Sequence, residues 1–183
     1  MDIITERASK IRLLITDVDG VLTDGRIVYD NFGDELKNFS AQDGFGLLLL
    51  KKANIPVIWF SVRKSRAVSR RANELACVKV YNVKKDKNCY FDKVIRKWKV
   101  SEQEIAYIGD DMDDIGPIRR AGLSVSVNSA QEELKKLSHI VTTSRGGQGA
   151  VREVCNIILK AQNKFDQTMW SQIISRRWFG VGT

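Results

Sequence analysis

The stretch 11–24, IRLLITDVDGVLTD, governs how the rest of the chain is read. Ile11 to Thr16 is a short run of apolar and β-branched residues interrupted only by Arg12, the pattern of a strand buried on both faces. It stops at Asp17, Asp19 and Gly20, which predicts two carboxylates at the carboxyl end of the strand and a turn directly after them. A second stretch repeats the form: Ile105 to Ile108 is apolar and ends in Gly109-Asp110-Asp111, with Asp113 and Asp114 close behind. Two such carboxylate clusters facing each other in a partly desolvated cleft repel strongly. A hard dication removes that cost. Magnesium takes a few carboxylate oxygens together with waters and phosphate oxygens, which suits Asp17 and Asp110.

Working outward, Arg26 to Tyr29 and Glu35 to Phe39 flank the turn formers Asp30-Asn31-Phe32-Gly33-Asp34 and predict a β-hairpin, a flap over about residues 25–39. Patterning predicts helices over 44–53, 65–75, 87–98, 113–121, 131–137 and 149–164. Further strands are predicted over 56–60, 78–81, 124–127 and 140–142. Strands alternating with helices imply an α/β fold: a Rossmann-like, three-layer arrangement with a central parallel sheet. Residues 1–164 read as one domain. Residues 165–183 read as a C-terminal tail, holding Trp170 and Trp178 and too short for a second domain. Ligands of such sheets bind beyond the carboxyl ends of the strands, where Asp17 and Asp19, Ser61, and Asp110 and Asp111 converge.

Composition narrows the function classes. At 183 residues, with 43% hydrophobic and 28% charged residues, the chain suits a globular domain with a real core rather than a disordered segment. No apolar run reaches the roughly 18 residues of a membrane span, and Met1 to Ile11, with Asp2 and Glu6, lacks the apolar region of a secretory signal; a cytoplasmic location is expected. Cys77, Cys89 and Cys155 form no CxxC and no zinc spacing, so buried free thiols are expected. The single histidine, His139, precedes Ile140-Val141 and reads as a strand-edge residue, which leaves little room for a histidine-based nucleophilic mechanism. The net charge of +8 is dispersed and not interleaved with aromatics, so it suits a small anionic substrate better than nucleic acid.

The order DxDGxxxD, a hydroxyl residue ending the next core strand, a lysine, then GDDxxD resembles the haloacid dehalogenase superfamily over about residues 11–155. The resemblance implies that Asp17 is the nucleophile and that Asp19 is the general acid and base, which also lends its backbone carbonyl to the metal. It implies that Ser61 binds phosphate, that Lys87 neutralises the phosphoryl group, and that Asp110 completes a magnesium set with Asp17 and Asp19. Asp111 and Asp114 are implied to hold metal waters or to orient the lysine. The alternatives, read as residues alone, are a strand-end cap for Ser61, a solvated helix-start lysine for Lys87 and a helix-start charge for Asp114; Asp113 reads as a helix-start charge only.

Within that superfamily, DVDGVLTDGRI, the hairpin, the DG-x-G element at Asp43-Gly44, Arg63-Lys64-Ser65, IAYIGDD and GGQGAVREVCNIIL resemble the small cap-less branch that hydrolyses 3-deoxy-D-manno-octulosonate 8-phosphate in lipopolysaccharide biosynthesis. Members are magnesium-dependent homotetramers in which the hairpin and a neighbouring subunit close the site. The hairpin flap here leaves no room for a separate cap domain, and closure by a partner would exclude water. The resemblance implies that Arg63 reads the substrate, with Arg71, Thr23 and Gly147 near it. Alternatives are a solvated Arg63 and a 146–149 loop that only connects to the last helix. Thr23, Asp24 and Asp43-Gly44 read as shaping the mouth of the site. Two departures stand out: Ser61-Val62 in place of the usual Thr-Gly, and Gln42 in place of an arginine. They leave room for a nine-carbon, sialic-type keto-acid phosphate as substrate. A third reading is a non-catalytic oligomerisation module related to the C-terminal domains of cytidylyltransferases.

Overall fold

The computed structural model describes residues 2–75, 78–84 and 86–174. Cys77, Lys85 and Trp178 lie outside the described residues. Six parallel strands form one sheet: β1 (Leu13–Asp17), β4 (Val57–Ser61), β5 (Val78–Asn82), β6 (Ile105–Gly109), β7 (Leu123–Ser126) and β8 (Ile140–Val141), in the order β5-β4-β1-β6-β7-β8. β1, β4 and β6 are buried at every residue, which is why they read as unbroken apolar runs without alternation. The register pairs Asp17 with Phe60 on one side and Thr16 with Ile108 on the other. The carboxyl ends of β4 and β6 therefore flank that of β1. β1 is also where the strand order reverses, the position at which open α/β sheets bind ligands.

The helices are α1 (Ile3–Ser9), α2 (Ala41–Lys52), α3 (Arg66–Leu75), α4 (Lys87–Trp98), α5 (Ile115–Arg120), α6 (Glu132–Lys135), α7 (Ala150–Ala161) and α8 (Phe165–Ile174). α7 packs on α1 and α2, and α8 rests on α2 and α7, while α4 packs on α5. No helix among the described residues is long and apolar enough to cross a membrane. The hairpin, β2 (Val28–Tyr29) with β3 (Glu35–Leu36), is antiparallel and separate from the sheet. Among the described residues no separate cap domain is evident.

Several boundaries differ from expectation for local reasons. α2 begins three residues earlier than its pattern predicts, because the Ser40 hydroxyl accepts the Asp43 amide and caps the helix. Its end falls as predicted: Asn54 takes φ 58°, and the Ile55 and Asn54 amides return to the carbonyls of Leu50 and Lys51. The helix expected over 113–121 is split into a 3-10 turn, Met112–Asp114, and α5. The hairpin ladder is two residues per strand rather than four or five, since its turn is organised by Asp30, whose carboxylate accepts the amides of Phe32 and Asp34. Part of the expected tail is the helix α8, and α1 had no predicted counterpart. Of the cysteines, Cys155 is buried as expected but Cys89 is exposed.

Candidate active site

Four backbone devices set the acidic cluster. Beyond Asp17, the amides of Leu22 and Thr23 return to the Val18 carbonyl, so the chain reverses immediately after β1. Gly20 takes φ +93°, and a Cβ there would land on the Asp110 carboxylate; glycine is what allows the β1 and β6 loops to meet. Asp111 caps the 3-10 turn through its carboxylate on the Met112 amide, and the returning Asp114 side chain accepts the amides of Asp110 (3.0 Å) and Asp111 (3.4 Å). Asp86 caps α4 by accepting the Asn88 amide, which makes Lys87 the first residue of that helix.

Lys87 sits at the centre of this arrangement, 2% exposed. Its Nζ donates to Asp17 Oδ1 (2.8 Å) and Asp114 Oδ1 (2.6 Å), with Asp113 Oδ2 at 3.0 Å. Burial works against its charge, but the carboxylates of Asp114, Asp17 and Asp113 prevail, and its pKa is raised. Asp17 is raised well above the ordinary carboxylate value, first by burial and then by the Asp114 charge, against the pull of Lys87. Asp110 is pushed up to about 7 by burial and by Asp114. Tyr107 donates its hydroxyl to Asp114 Oδ1 (2.6 Å).

Oxygens of Asp17, Asp110 and Asp114 all lie within 4.8 Å of one another. The three are not equivalent. Both oxygens of Asp114 are already engaged, by Lys87 and Tyr107 on one side and by two amides on the other. Asp114 is thus built to hold Lys87 and the β6 loop, whereas Asp17 and Asp110 keep oxygens for a ligand. Asp113, expected to be a helix-start charge only, also faces Lys87.

A family model for haloacid dehalogenase-like hydrolases matches residues 52–154. The 3-deoxy-D-manno-octulosonate 8-phosphate phosphatase of Yersinia pestis is 41% identical over 165 residues, covering 90% of this chain and 88% of that protein. The chain belongs to the haloacid dehalogenase-like hydrolases. Among solved structures, it is similar to 3-deoxy-D-manno-octulosonate 8-phosphate phosphatase from Moraxella catarrhalis in complex with magnesium, phosphate and the KDO molecule (TM-score 0.89, 40% identity, 94% of this chain and 99% of that one). It is also similar to the cobalt-bound form of the Haemophilus influenzae deoxy-D-mannose-octulosonate 8-phosphate phosphatase (TM-score 0.84, 34% identity, 90% and 99%).

The remaining predicted site residues of this hydrolase divide into two groups. Ser61 is buried at the end of β4, and its hydroxyl donates to the Arg63 carbonyl (2.8 Å), so it does cap the strand end in this arrangement. Thr23 is buried, and its hydroxyl accepts the amides of Gly20 and Gly25 (both 3.3 Å), holding the β1 loop rather than facing solvent. Gly147 donates its amide to the Val21 carbonyl (2.9 Å), and a Cβ on it would strike Thr23 and Asp24; the 146–149 loop is thus pressed onto the β1 loop and is more than a connector. Asp43, 1% exposed, accepts the amides of Gly149 and Arg152 and so caps α7 from a distant segment.

Arg63 reaches the hairpin instead of the acidic cluster: Nη2 donates to the Tyr29 hydroxyl (2.8 Å) and lies 3.1 Å from Glu35 Oε1. Arg71 pairs with Glu74 (3.2 Å) and lies against Gly44 at the start of α2. Asp19 is met by a residue that sequence reading missed. Lys37 of the hairpin arm is buried with Nζ on Asp19 Oδ1 and 3.3 Å from Glu35 Oε1. A cleft of about 400 Å³ between the hairpin and α3 is lined by Asp34, Glu35, Lys64, Ser65, Arg66 and Arg70, and not by the acidic cluster.

Proposed function

We propose that this hydrolase is a magnesium-dependent phosphatase that hydrolyses 3-deoxy-D-manno-octulosonate 8-phosphate through an aspartyl-phosphate on Asp17. The observation that carries the reading is Lys87, a buried ammonium between Asp17 and Asp114 with Asp110 across from it. The relatives named above supply the substrate class. In this reading Asp17 attacks phosphorus, and Lys87 balances the charge on the transferred group as the ester bond breaks. Asp19 protonates the leaving alkoxide, then takes a proton from the water that hydrolyses the phosphoenzyme. Ser61 turns from the Arg63 carbonyl to a phosphate oxygen. Asp114 keeps Lys87 in place, Asp111 holds the turn that presents Asp110, and Arg63 and Arg71 stand on the side where the acid end of the sugar would rest.

The donor set fits magnesium: two carboxylates with oxygens to spare, Asp17 and Asp110, joined by the Asp19 carbonyl. When bound there, magnesium supplies positive charge against the phosphate oxygens. Without it, Asp17 and Asp110 hold protons more tightly folded than unfolded. Stability from Asp110 is therefore fully present below 3.8 and is lost as pH rises towards about 7, and that from Asp17 is lost in the same direction. Magnesium competes with those protons, so the gain in Tm on adding it is expected to be larger at about pH 8 than at about pH 5.5. Equal gains at the two values would contradict the ligand assignment.

The substrate is tested by turnover of a panel of keto-acid sugar phosphates with magnesium. The octulosonate 8-phosphate is expected to give the highest kcat/KM. A nine-carbon substrate matching or exceeding it would transfer the assignment, and absence of phosphate release throughout would leave the non-catalytic module. Partner closure by a homotetramer accords with the exposed hairpin, on which Tyr29 and Phe32 stand in solvent. A cytoplasmic location accords with the exposed free thiol of Cys89.

A further inference from the structure

Lys37 is carried on an arm whose neighbours Leu36, Tyr29 and Val28 are exposed, yet its own side chain is 1% exposed. Lysine on such an arm ordinarily runs its stem along the surface and keeps its ammonium in water. Drawing the ammonium inside costs several kcal/mol unless carboxylates meet it. Two do so: Asp19, eighteen residues earlier at the β1 loop, and Glu35 at 3.3 Å. Glu35 is in turn held from the β4 side by Arg63 at 3.1 Å, and Arg63 donates to the Tyr29 hydroxyl. A continuous chain of charges thus joins Asp19 to the hairpin and to the loop after β4. Lys37 takes only Oδ1 of Asp19. The other oxygen, Oδ2, has no hydrogen-bond partner among the described residues.

We propose that Lys37 is the positioning residue for Asp19 in hydrolysis of the phosphoenzyme. This rests on the reading of Asp19 as the acid and base. By gripping one oxygen, the ammonium holds the carboxylate in one orientation and leaves the second oxygen to face the proton it transfers. In the step it serves, the oxygen of water bonds to phosphorus and the bond from phosphorus to the Asp17 oxygen breaks, returning its electron pair to that carboxylate. The proton of the water passes to Asp19 Oδ2. Lys37 itself forms and breaks no bond, and its seat exists only while the hairpin is docked.

The test uses p-nitrophenyl phosphate, whose leaving group needs no acid. With it, kcat/KM reports phosphorylation of Asp17 and kcat also contains dephosphorylation. Lys37→Met is expected to lower kcat by about 10- to 100-fold and to change kcat/KM by less than about threefold. A burst of nitrophenolate near one equivalent per active site is expected with it, while Lys37→Arg stays close to the wild-type rate without a burst. Lys37→Gln serves as the second variant if the methionine protein does not fold, and the same burst is expected. A parallel fall in kcat and kcat/KM, or no burst, overturns the proposal, since Lys37 would then bind substrate or merely seat the hairpin. Asp19→Asn is run alongside. A burst in Asp19→Asn but none in the Lys37 variants sinks only the role of Lys37, and no burst in Asp19→Asn sinks the reading of Asp19 itself.

Discussion

Asp17→Asn is expected to reduce phosphate release by at least about 10⁴-fold while leaving the protein folded and, without metal, no less stable than the wild type. The two halves of this expectation come from the same geometry. The amide has the shape of the carboxylate and still offers an oxygen to Lys87 Nζ, now 2.8 Å from Asp17 Oδ1, so the hydrogen bond to α4 survives. It lacks the negative charge that would attack phosphorus, so the chemistry does not survive. At neutral pH the charged form of Asp17 is disfavoured by burial and by Asp114, and a neutral side chain relieves that repulsion. The metal-induced rise in Tm should shrink at the same time, because one of two free carboxylate ligands is gone. Thermal melts with and without magnesium, beside a phosphate-release assay, read all three effects. Turnover above about a tenth of the wild-type rate would refute Asp17 as the nucleophile, whatever the melts show.

The sheet was legible because burial on both faces leaves a sequence signature: β1 and β6 are unbroken apolar runs, and the carboxylates begin where the apolar runs end. Lys87 was legible as a helix start, and α4 spans the predicted 87–98 because Asp86 caps it. Its partner Asp114 was named through the resemblance alone, for nothing local distinguishes Asp114, buried beneath Lys87 and Tyr107, from the half-exposed Asp113 beside it. Lys37 was hidden for the same reason in sharper form. A lysine at the end of a short hairpin reads as solvated, and only docking of that arm against a loop eighteen residues earlier buries it. The first turn of α2 was missed because Ser40-Ala41-Gln42 carries its signal in a cap rather than in apolar spacing. α8 was missed because its placement depends on α2 and α7. Residues whose role follows from the strand they end were predictable. Residues whose role follows from what they meet across the fold were not.

Lys87→Met separates architecture from chemistry at this centre. Removing the ammonium leaves Asp17 and Asp114 buried with no cation between them, and the expected loss is about 3–5 kcal/mol of unfolding free energy in magnesium-free buffer at neutral pH. The pH dependence fixes the cause. The pKa of Lys87 is raised above its ordinary 10.5, so its stabilising charge is fully present below 10.5 and fades only as pH climbs beyond it. In the variant the carboxylates carry the penalty instead. The deficit should therefore shrink on acidification, as Asp17, whose carboxyl is raised well above its ordinary value, takes up a proton. A loss of packing alone would give a deficit that does not vary with pH. Denaturant titrations from neutral to acidic pH decide between the two. Asp114→Asn added to Lys87→Met should recover part of the loss, because it removes one of the charges that the lysine compensated. It should recover none of the activity, for which a fall of at least about 10³-fold in kcat/KM is expected. Stability regained without turnover is the result that assigns Lys87 to the transferred phosphoryl group as well as to the fold.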